Sequence, residues 1–302
     1  MEVLDLFCGM GGLSSGFAAK GFSVLGVDRS KVAGKTYEMN GFGKFREKNL
    51  ATKTVRGKFR VLLGGPPCRP WSSVNVVRRE KVHPDYRLVG VYFKHLLRIQ
   101  PKVFVFENVP AVKNSGTFEW WAKKAETIGY DILRTIVQYS DYGAATKRHR
   151  FIAIGVMNGD REETERILNR HKSEATTVKA RIWSLRNEPE SPEIYHEWPD
   201  LKTIYKYKDY YATGKYGWYK LNWGEPAPSF GNVMKTYILH PMSFNGGDTR
   251  VISVREALLV MGFKRDFAFA KNAHMGQMYQ MIADSVSPVF SDKLASTVNR
   301  LL

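Results

Sequence analysis

The sequence is poor in cysteine, in acidic side chains and in long apolar runs. Only two cysteines, Cys8 and Cys68, occur in 302 residues. They form no C-x-x-C pair, and no histidine cluster stands at metal-ligand spacing, so neither a disulfide framework nor a structural metal site is indicated. No metal is expected, and any special cysteine works alone. No window approaches the roughly 18 apolar residues of a membrane span, so no membrane association is expected. The chain opens on the strand-like run Val3-Leu4-Asp5-Leu6-Phe7 without the basic and small-residue pattern of a secretory leader, and a cytoplasmic location is expected. Acidic residues number 29 against 46 Lys and Arg, a formal net charge of +17. That imbalance favours a polyanionic partner, nucleic acid first, through phosphate contacts and counterion release. Charge alone is equally compatible with a basic protein whose lysines are simply solvated, and it specifies no chemistry.

What is present reads as a globular protein, with 43% apolar and 25% charged residues, long enough for one large domain with a smaller companion. In the first half, short apolar runs alternate with helical patterns, the trace of a parallel sheet covered by helices. Leu4 to Phe7 reads as a first strand, Gly12 to Lys20 as a helix and Phe22 to Val27 as a second strand ending at Asp28. Arg60 to Leu63 runs into Gly64-Gly65-Pro66-Pro67-Cys68; Leu88, Tyr92 and Leu96 recur at helical spacing before Pro101; Val103 to Phe106 ends at Glu107-Asn108; Phe151 to Val156 is a further strand. From about 158 to 249 the periodicity fades. Residues 201 to 250 hold seven Lys/Arg against three Asp/Glu, interleaved with Tyr and Trp, which suits either a small β-rich domain with an aromatic core or a nucleic-acid surface. Pattern returns at Ser253, an N-cap with Glu256 as its capping-box partner, opening a helix from Val254 to Met261 that Gly262 closes.

Three strand ends carry candidate chemistry. Asp5-Leu6-Phe7-Cys8-Gly9-Met10-Gly11-Gly12 places glycines between strand and helix, and Asp28 at the end of the second strand could bind two ribose hydroxyls. The spacing is G-x-G-G-x-x-x-G, because position 14 is Ser, which weakens a dinucleotide reading; taken alone, these glycines could serve only a tight turn. Cys68 follows two prolines at the carboxyl edge of the sheet, where open α/β folds bind ligands, and the basic stretch Arg69 to Lys81 would favour a reactive thiolate. Glu107 ends a strand on the same edge and could give or share a proton. Arg148 and Arg150 precede another strand. They alternate, so one is expected to face phosphate or solvent and the other to point inward.

The order of these motifs resembles the cytosine-5 DNA methyltransferases over nearly the whole chain, with about 158 to 228 unmatched. Asp5 to Gly12 looks like that family's cofactor loop, Gly65-Pro66-Pro67-Cys68-Arg69-Pro70-Trp71-Ser72 like its Pro-Cys motif, Glu107-Asn108-Val109 like its glutamate motif, and Arg250 to Phe263 like the segment after target recognition. The resemblance implies an α/β fold: a Rossmann-like methyltransferase domain with a mostly parallel sheet, over 1–157. A smaller, irregular β-containing target-recognition domain would span 158–249, and 250–302 would return to the catalytic domain. It implies S-adenosylmethionine as cofactor, S-adenosylhomocysteine as product and double-stranded DNA as partner. A monomer near the nucleoid, with a cognate restriction endonuclease that is not physically associated, would fit.

The residue roles carried over are these. Cys68 would attack carbon 6 of a flipped cytosine, with Glu107 at the ring nitrogen, Arg150 at the carbonyl oxygen and Arg148 beside them or on DNA phosphate. Phe7 would pack on the adenine, Gly9, Met10, Gly11 and Gly12 would line the amino-acid end, and Asp28 would hold the ribose. Asn49, Leu50, Pro67, Asp284 and Ser285 complete the expected cofactor site, and Arg69 and Ser72 are expected on DNA. Three positions depart from the family's pattern: Thr146 replaces a glutamine, Asn49 an acidic residue and Ala283-Asp284 a Gly-Asn pair. A transfer-RNA methyltransferase, a catalytically dead DNA-binding regulator and a nicotinamide dehydrogenase are the alternatives. The aromatic and basic insert argues against the first, Cys68, Glu107 and Arg150 against the second, and the missing G-x-G-x-x-G against the third.

Overall fold

The computed structural model describes residues 2–71, 83–214, 218–246 and 249–302; the expectation for Ser72 lies outside them. By backbone contact the chain divides into two compact units. The first comprises Met1–Gln138, His149–Lys172 and Ser291–Leu302, the second Tyr139–Arg148 and Ser173–Phe290.

The first unit is built on seven strands: β1 (Val3–Leu6), β2 (Val24–Asp28), β3 (Lys44–Glu47), β4 (Val61–Gly64), β5 (Val103–Asn108), β6 (Tyr130–Gln138) and β7 (His149–Met157), in the order β3-β2-β1-β4-β5-β7-β6. β1 to β5 pair in parallel, whereas β7 runs antiparallel to both β5 and β6. β1, β4 and β5 are buried at every residue, which is why they read as continuous apolar runs rather than alternating ones: helices cover both faces. The edge strand β3 is mostly exposed and carries Lys44, Arg46 and Glu47, charges that discourage pairing with another chain.

The helices are α1 (Gly12–Ala19), α2 (Lys31–Met39), α3 (Leu88–Ile99), α4 (Gly116–Glu126) and α5 (Arg161–Asn169). Ser30, Ser115 and Asp160 cap α2, α4 and α5 by accepting backbone amides of their first turns, which satisfies donors a helix start leaves orphaned. Between α3, α4 and the sheet lies an aromatic core of Tyr92, Phe93, Phe104, Phe106, Phe118 and Phe151, each fully buried. Edge-on contacts such as Phe118 to Phe151, 4.9 Å between centroids, are the favoured ring geometry. This packing makes the carboxyl ends of β1, β4 and β5 a rigid edge. The strand order reverses between β1 and β4, and a crevice at such a reversal is where open α/β sheets bind ligands.

The second unit contains short helices, among them α6 (Val178–Ile182), α7 (Lys208–Thr213), α8 (Val233–Thr236), α9 (Val254–Met261) and α10 (Met275–Asp284). Its β structure among the described residues is a set of isolated bridges, such as Lys220 with Leu239 and Leu239 with Val251. A β-rich domain is therefore not what forms: Pro226, Pro228 and Pro241 lack the amide a ladder requires. The aromatic residues pack largely on one another, with Tyr207, Tyr210, Tyr211 and Tyr237 around Trp218, while Tyr205 stays exposed. The capping box of Ser253 and Glu256 is present in both halves, and Gly262 ends α9 at φ 101°. α11 (Pro288–Leu301) closes the chain. In the first unit the Ser291 hydroxyl accepts the Gly16 amide at 3.0 Å and donates to the Leu13 carbonyl, fixing this last helix on α1.

Candidate active site

Cys68 lies four residues beyond β4 and is half-buried. At the end of neighbouring β5, Glu107 is 8% exposed, and its Oε1 takes the Arg150 Nε at 2.8 Å. Arg150 comes from the start of β7, so three strands bring these groups to one edge. A Cβ on Gly65 would lie 2.8 Å from the Glu107 Oε2, a clash that only glycine avoids. The carboxyl therefore sits over the turn that leads to Cys68. Sequence reasoning missed the residue that locks this turn. The buried Asn108 donates from Nδ2 to the Pro66 carbonyl at 2.9 Å and accepts the Val109 amide at 2.9 Å. An asparagine after a strand-end glutamate was visible, but its partner 42 residues away was not. Arg69 is exposed in the short helical turn Arg69–Trp71, and Pro67 is half-buried.

The loop after β1 bends through left-handed residues, Phe7 at φ 61°, Gly9 at 53° and Gly11 at 96°. A positive φ at phenylalanine is a strained choice of the kind found at ligand clamps. The Asp28 carboxylate holds the bend by accepting the Gly9 amide at 3.1 Å and the Ser30 amide at 2.8 Å. A carboxylate has about four lone-pair sites, which leaves capacity for ribose hydroxyls. A Cβ at Gly9 would meet nothing within 4 Å, so its outer face is an open cradle. Phe7 is half-buried and Met10, Gly11 and Gly12 are buried. Leu50 is buried, whereas Asn49 is exposed and uses its Oδ1 to accept the Ala51 amide.

Beneath the loop, Asp5 is 1% exposed; its Oδ2 takes the Ser14 hydroxyl at 2.5 Å, and Oδ1 has no hydrogen-bond partner. Burial pushes the Asp5 pKa up to about 7, the Ser14 hydrogen bond opposes this, and the charges of Asp28 and Glu107 add to it. An orphaned carboxylate oxygen in a concentration of acids suits a cationic ligand, and S-adenosylmethionine carries an ammonium and a sulfonium. The residues of this loop fit that group.

The raised value has a stability consequence. A native pKa above that of the unfolded chain means the native state binds the extra proton, so stability falls as pH rises from about 4 to 7 and is then level. Asp5→Asn removes the titration. Its thermal midpoint, in the absence of ligand, should gain on the parent's steadily between pH 5 and pH 8. An offset that stayed constant with pH would show that Asp5 does not titrate in this range.

Arg148 and Arg150 separate. Arg148 belongs to the second unit, is 4% exposed, and donates from Nη1 to the Phe230 carbonyl at 3.1 Å and from Nη2 to the Ala283 carbonyl. This geometry suits a positioning role, joining the aromatic, basic segment to the start of Ala283-Asp284-Ser285. In the same unit Asp284 is exposed, accepting the Gln280 amide at 2.9 Å, and Ser285 is buried with its hydroxyl on the Val286 carbonyl. Thr146, in place of the expected glutamine, is fully buried. Among the described residues no group of His, Cys, Asp and Glu could hold a metal ion, and no helix is long and apolar enough to cross a membrane.

A mostly parallel seven-stranded sheet, reversed at β1 and β4 and closed by an antiparallel β7, with a Pro-Pro-Cys turn and a Glu-Arg pair on one edge, defines a Rossmann-like methyltransferase. The chain belongs to the C-5 cytosine-specific DNA methylase family, whose model matches residues 1–300. It is similar to the type II methylase M.HgiDII of Herpetosiphon aurantiacus, 25% identical with 99% of this chain and 95% of that protein covered. The type II methyltransferase M.FnuDI of Fusobacterium nucleatum is 26% identical, with 95% and 90% covered. In fold it matches the crystal structure of the S. pombe Dnmt2 methyltransferase at a TM-score of 0.75 with 14% identity, covering 99% of this chain and 98% of that one. The protein is thus a DNA (cytosine-5) methyltransferase by family.

Proposed function

We propose that the protein methylates carbon 5 of a cytosine within a short duplex sequence, after flipping the base out of the helix, through a covalent bond from Cys68 to carbon 6. The supporting observation is the Arg150–Glu107 pair at 2.8 Å over Gly65, three residues before Cys68. A base inside a duplex cannot be attacked on its face, and extruding it costs a few kcal/mol. The Cys68 thiolate adds to carbon 6. Glu107 hydrogen-bonds or protonates the ring nitrogen, and Arg150 holds both Glu107 and the base's carbonyl oxygen, so the negative charge pushed into the ring is neutralised where it develops. S-adenosylmethionine, when bound, supplies an electrophilic methyl group. Carbon 5, made nucleophilic by the addition, takes that methyl; its proton then leaves to solvent and the electron pair returns to the ring, expelling Cys68 as thiolate.

For the cofactor, Asp28 would hold the ribose, Phe7 would pack on the adenine with Asn49 and Leu50 nearby, and Gly9 to Gly12, Pro67, Asp284 and Ser285 would complete the site. Asp28→Ala should raise the KM for S-adenosylmethionine at least about tenfold, the loss of charge-assisted hydrogen bonds. The Kd for DNA should stay within about twofold of the parent's. Equal losses in both would assign Asp28 to the loop's structure alone.

The net charge of +17 supports duplex DNA as substrate. Target recognition is assigned to 158–249, with Arg69 and Ser72 near the DNA backbone. Membership of a restriction-modification pair and action as a monomer at the nucleoid belong to the same reading. Incubating a plasmid with the protein and cofactor and then sequencing it after bisulfite treatment tests the proposal. Protected cytosines in one recurring short sequence are expected, and a plasmid without protected cytosines contradicts it.

A further inference from the structure

Next to the catalytic turn, the first unit holds a cavity of about 570 Å³ with Trp71, Tyr86, Trp120 and Trp121 as walls and Gly116 and Thr117 on its rim. Its position is tied to the nucleophile: the Trp71 amide donates to the Cys68 carbonyl at 3.0 Å. Trp71 and Tyr86 pack at 5.4 Å, and Tyr86 shares a hydrogen bond with the Thr117 hydroxyl, so the walls are braced.

Two features point to an anionic, partly apolar occupant. First, the rim is the start of α4, an 11-residue helix. Its cap Ser115 takes the Phe118 amide and, through its carbonyl, the Glu119 amide. Gly116 and Thr117 are the helix's first two residues, whose amides have no acceptor within the helix and lie at its positive end. A Cβ on Gly116 would meet nothing within 4 Å, so a ligand can approach. Second, Trp71 is 8% exposed and its indole N–H has no acceptor among the described residues, a deficit that a ligand oxygen would remove. Beside them Trp120 offers a ring that is 53% exposed, with the Lys124 ammonium 4.2 Å from its centre.

We propose that this cavity binds the sugar-phosphate of a nucleotide flanking the target cytosine, with the phosphate on the Gly116 and Thr117 amides and the deoxyribose against Trp120. The inference rests on the reading of the protein as a methyltransferase of duplex DNA. It assigns to α4 a fixed contact with the substrate backbone, close to the turn that carries Cys68. Such a contact would set the register of the duplex before the base is extruded.

Gly116→Pro deletes one of the two amides. Proline is accepted at the first position of a helix, and Ser115 before it has φ −80° and ψ 127°, the extended conformation that precedes proline. The variant should bind S-adenosylhomocysteine and unfold thermally like the parent, and should bind target duplex about tenfold more weakly, the worth of one charge-assisted hydrogen bond. Neutral methylphosphonate linkages placed singly along the flanks locate the contact. One position should weaken the parent about tenfold and the variant little, because the amide and the charge act on each other. Equal sensitivity of parent and variant at every position, or an unchanged Kd for Gly116→Pro, overturns the proposal. The same duplex carrying 5-fluorocytosine reports separately on the underlying reading: a parent that forms no adduct refutes the methyltransferase mechanism, whatever the flanking phosphates show.

Discussion

Cys68→Ser is expected to lower methyl transfer by roughly three orders of magnitude or more while leaving DNA affinity within about threefold, because the residue acts only in the covalent step. A serine hydroxyl in this position supplies almost no anion at neutral pH, whereas a thiol beside basic residues does. The argument is sharpened by the other cysteine. Cys8 is 7% exposed, and burial, followed by the charges of Asp5 and Asp28, holds its thiol well above the ordinary range. It is therefore a thiol at neutral pH with its Sγ turned to the Gly9 carbonyl at 3.7 Å. Cys8→Ser should retain most of the rate. Single-turnover methylation of a tritium-labelled target measures both variants. A near-normal rate for Cys68→Ser, or a collapse confined to Cys8→Ser, would remove Cys68 from the mechanism.

Glu256→Ala should destabilise the protein by about 3–5 kcal/mol, the usual cost of leaving one member of a buried ion pair alone. Glu256 is fully buried and takes the Arg250 guanidinium on both oxygens, at 2.7 and 2.9 Å, together with the Ser253 amide at 2.8 Å. Burial alone raises its pKa, but the Arg250 hydrogen bonds and charge outweigh that and hold it below the ordinary carboxylate range. His240, at 3.5 Å, adds no charge, since burial lowers its pKa to about 4. With the carboxylate gone, Arg250 remains 6% exposed and unneutralised beside the Trp198 ring. Replacing both residues, Arg250→Met with Glu256→Leu, should cost less than Glu256→Ala by itself. Urea unfolding distinguishes the two: a double variant no better than the single one would mean that the packing of α9, rather than stranded charge, sets the cost.

The catalytic edge was legible because each of its motifs is local. A strand followed at once by Asp28, Cys68 or Glu107 announces a carboxyl edge, and continuous apolar runs announce strands covered on both faces. β6 was not read, since Ile136 is 45% exposed on it and its apolar residues follow no strict alternation. The antiparallel direction of β7 was equally silent, because it depends on which neighbour a strand finds and not on its own residues. Alternation also could not sort Arg148 from Arg150. β7 begins at His149, so Arg148 precedes the strand and belongs to the other unit. Glu256 was read as a capping residue, which it is, but its larger duty to Arg250 depends on a side chain folding back across six residues. The Asn108 bond to Pro66 and the orphaned Asp5 oxygen are products of packing, and no spacing rule reports them.

The most direct test of the central claim is to incubate the protein and S-adenosylmethionine with a target duplex carrying 5-fluorocytosine, and to map the protein–DNA crosslink by peptide mass spectrometry. Fluorine cannot leave as a proton does, so elimination stalls with the enzyme attached. The account predicts an adduct that survives denaturing electrophoresis, requires the cofactor, and lies on the peptide containing Cys68. An adduct on Cys8, or a duplex methylated without any covalent intermediate, would contradict it.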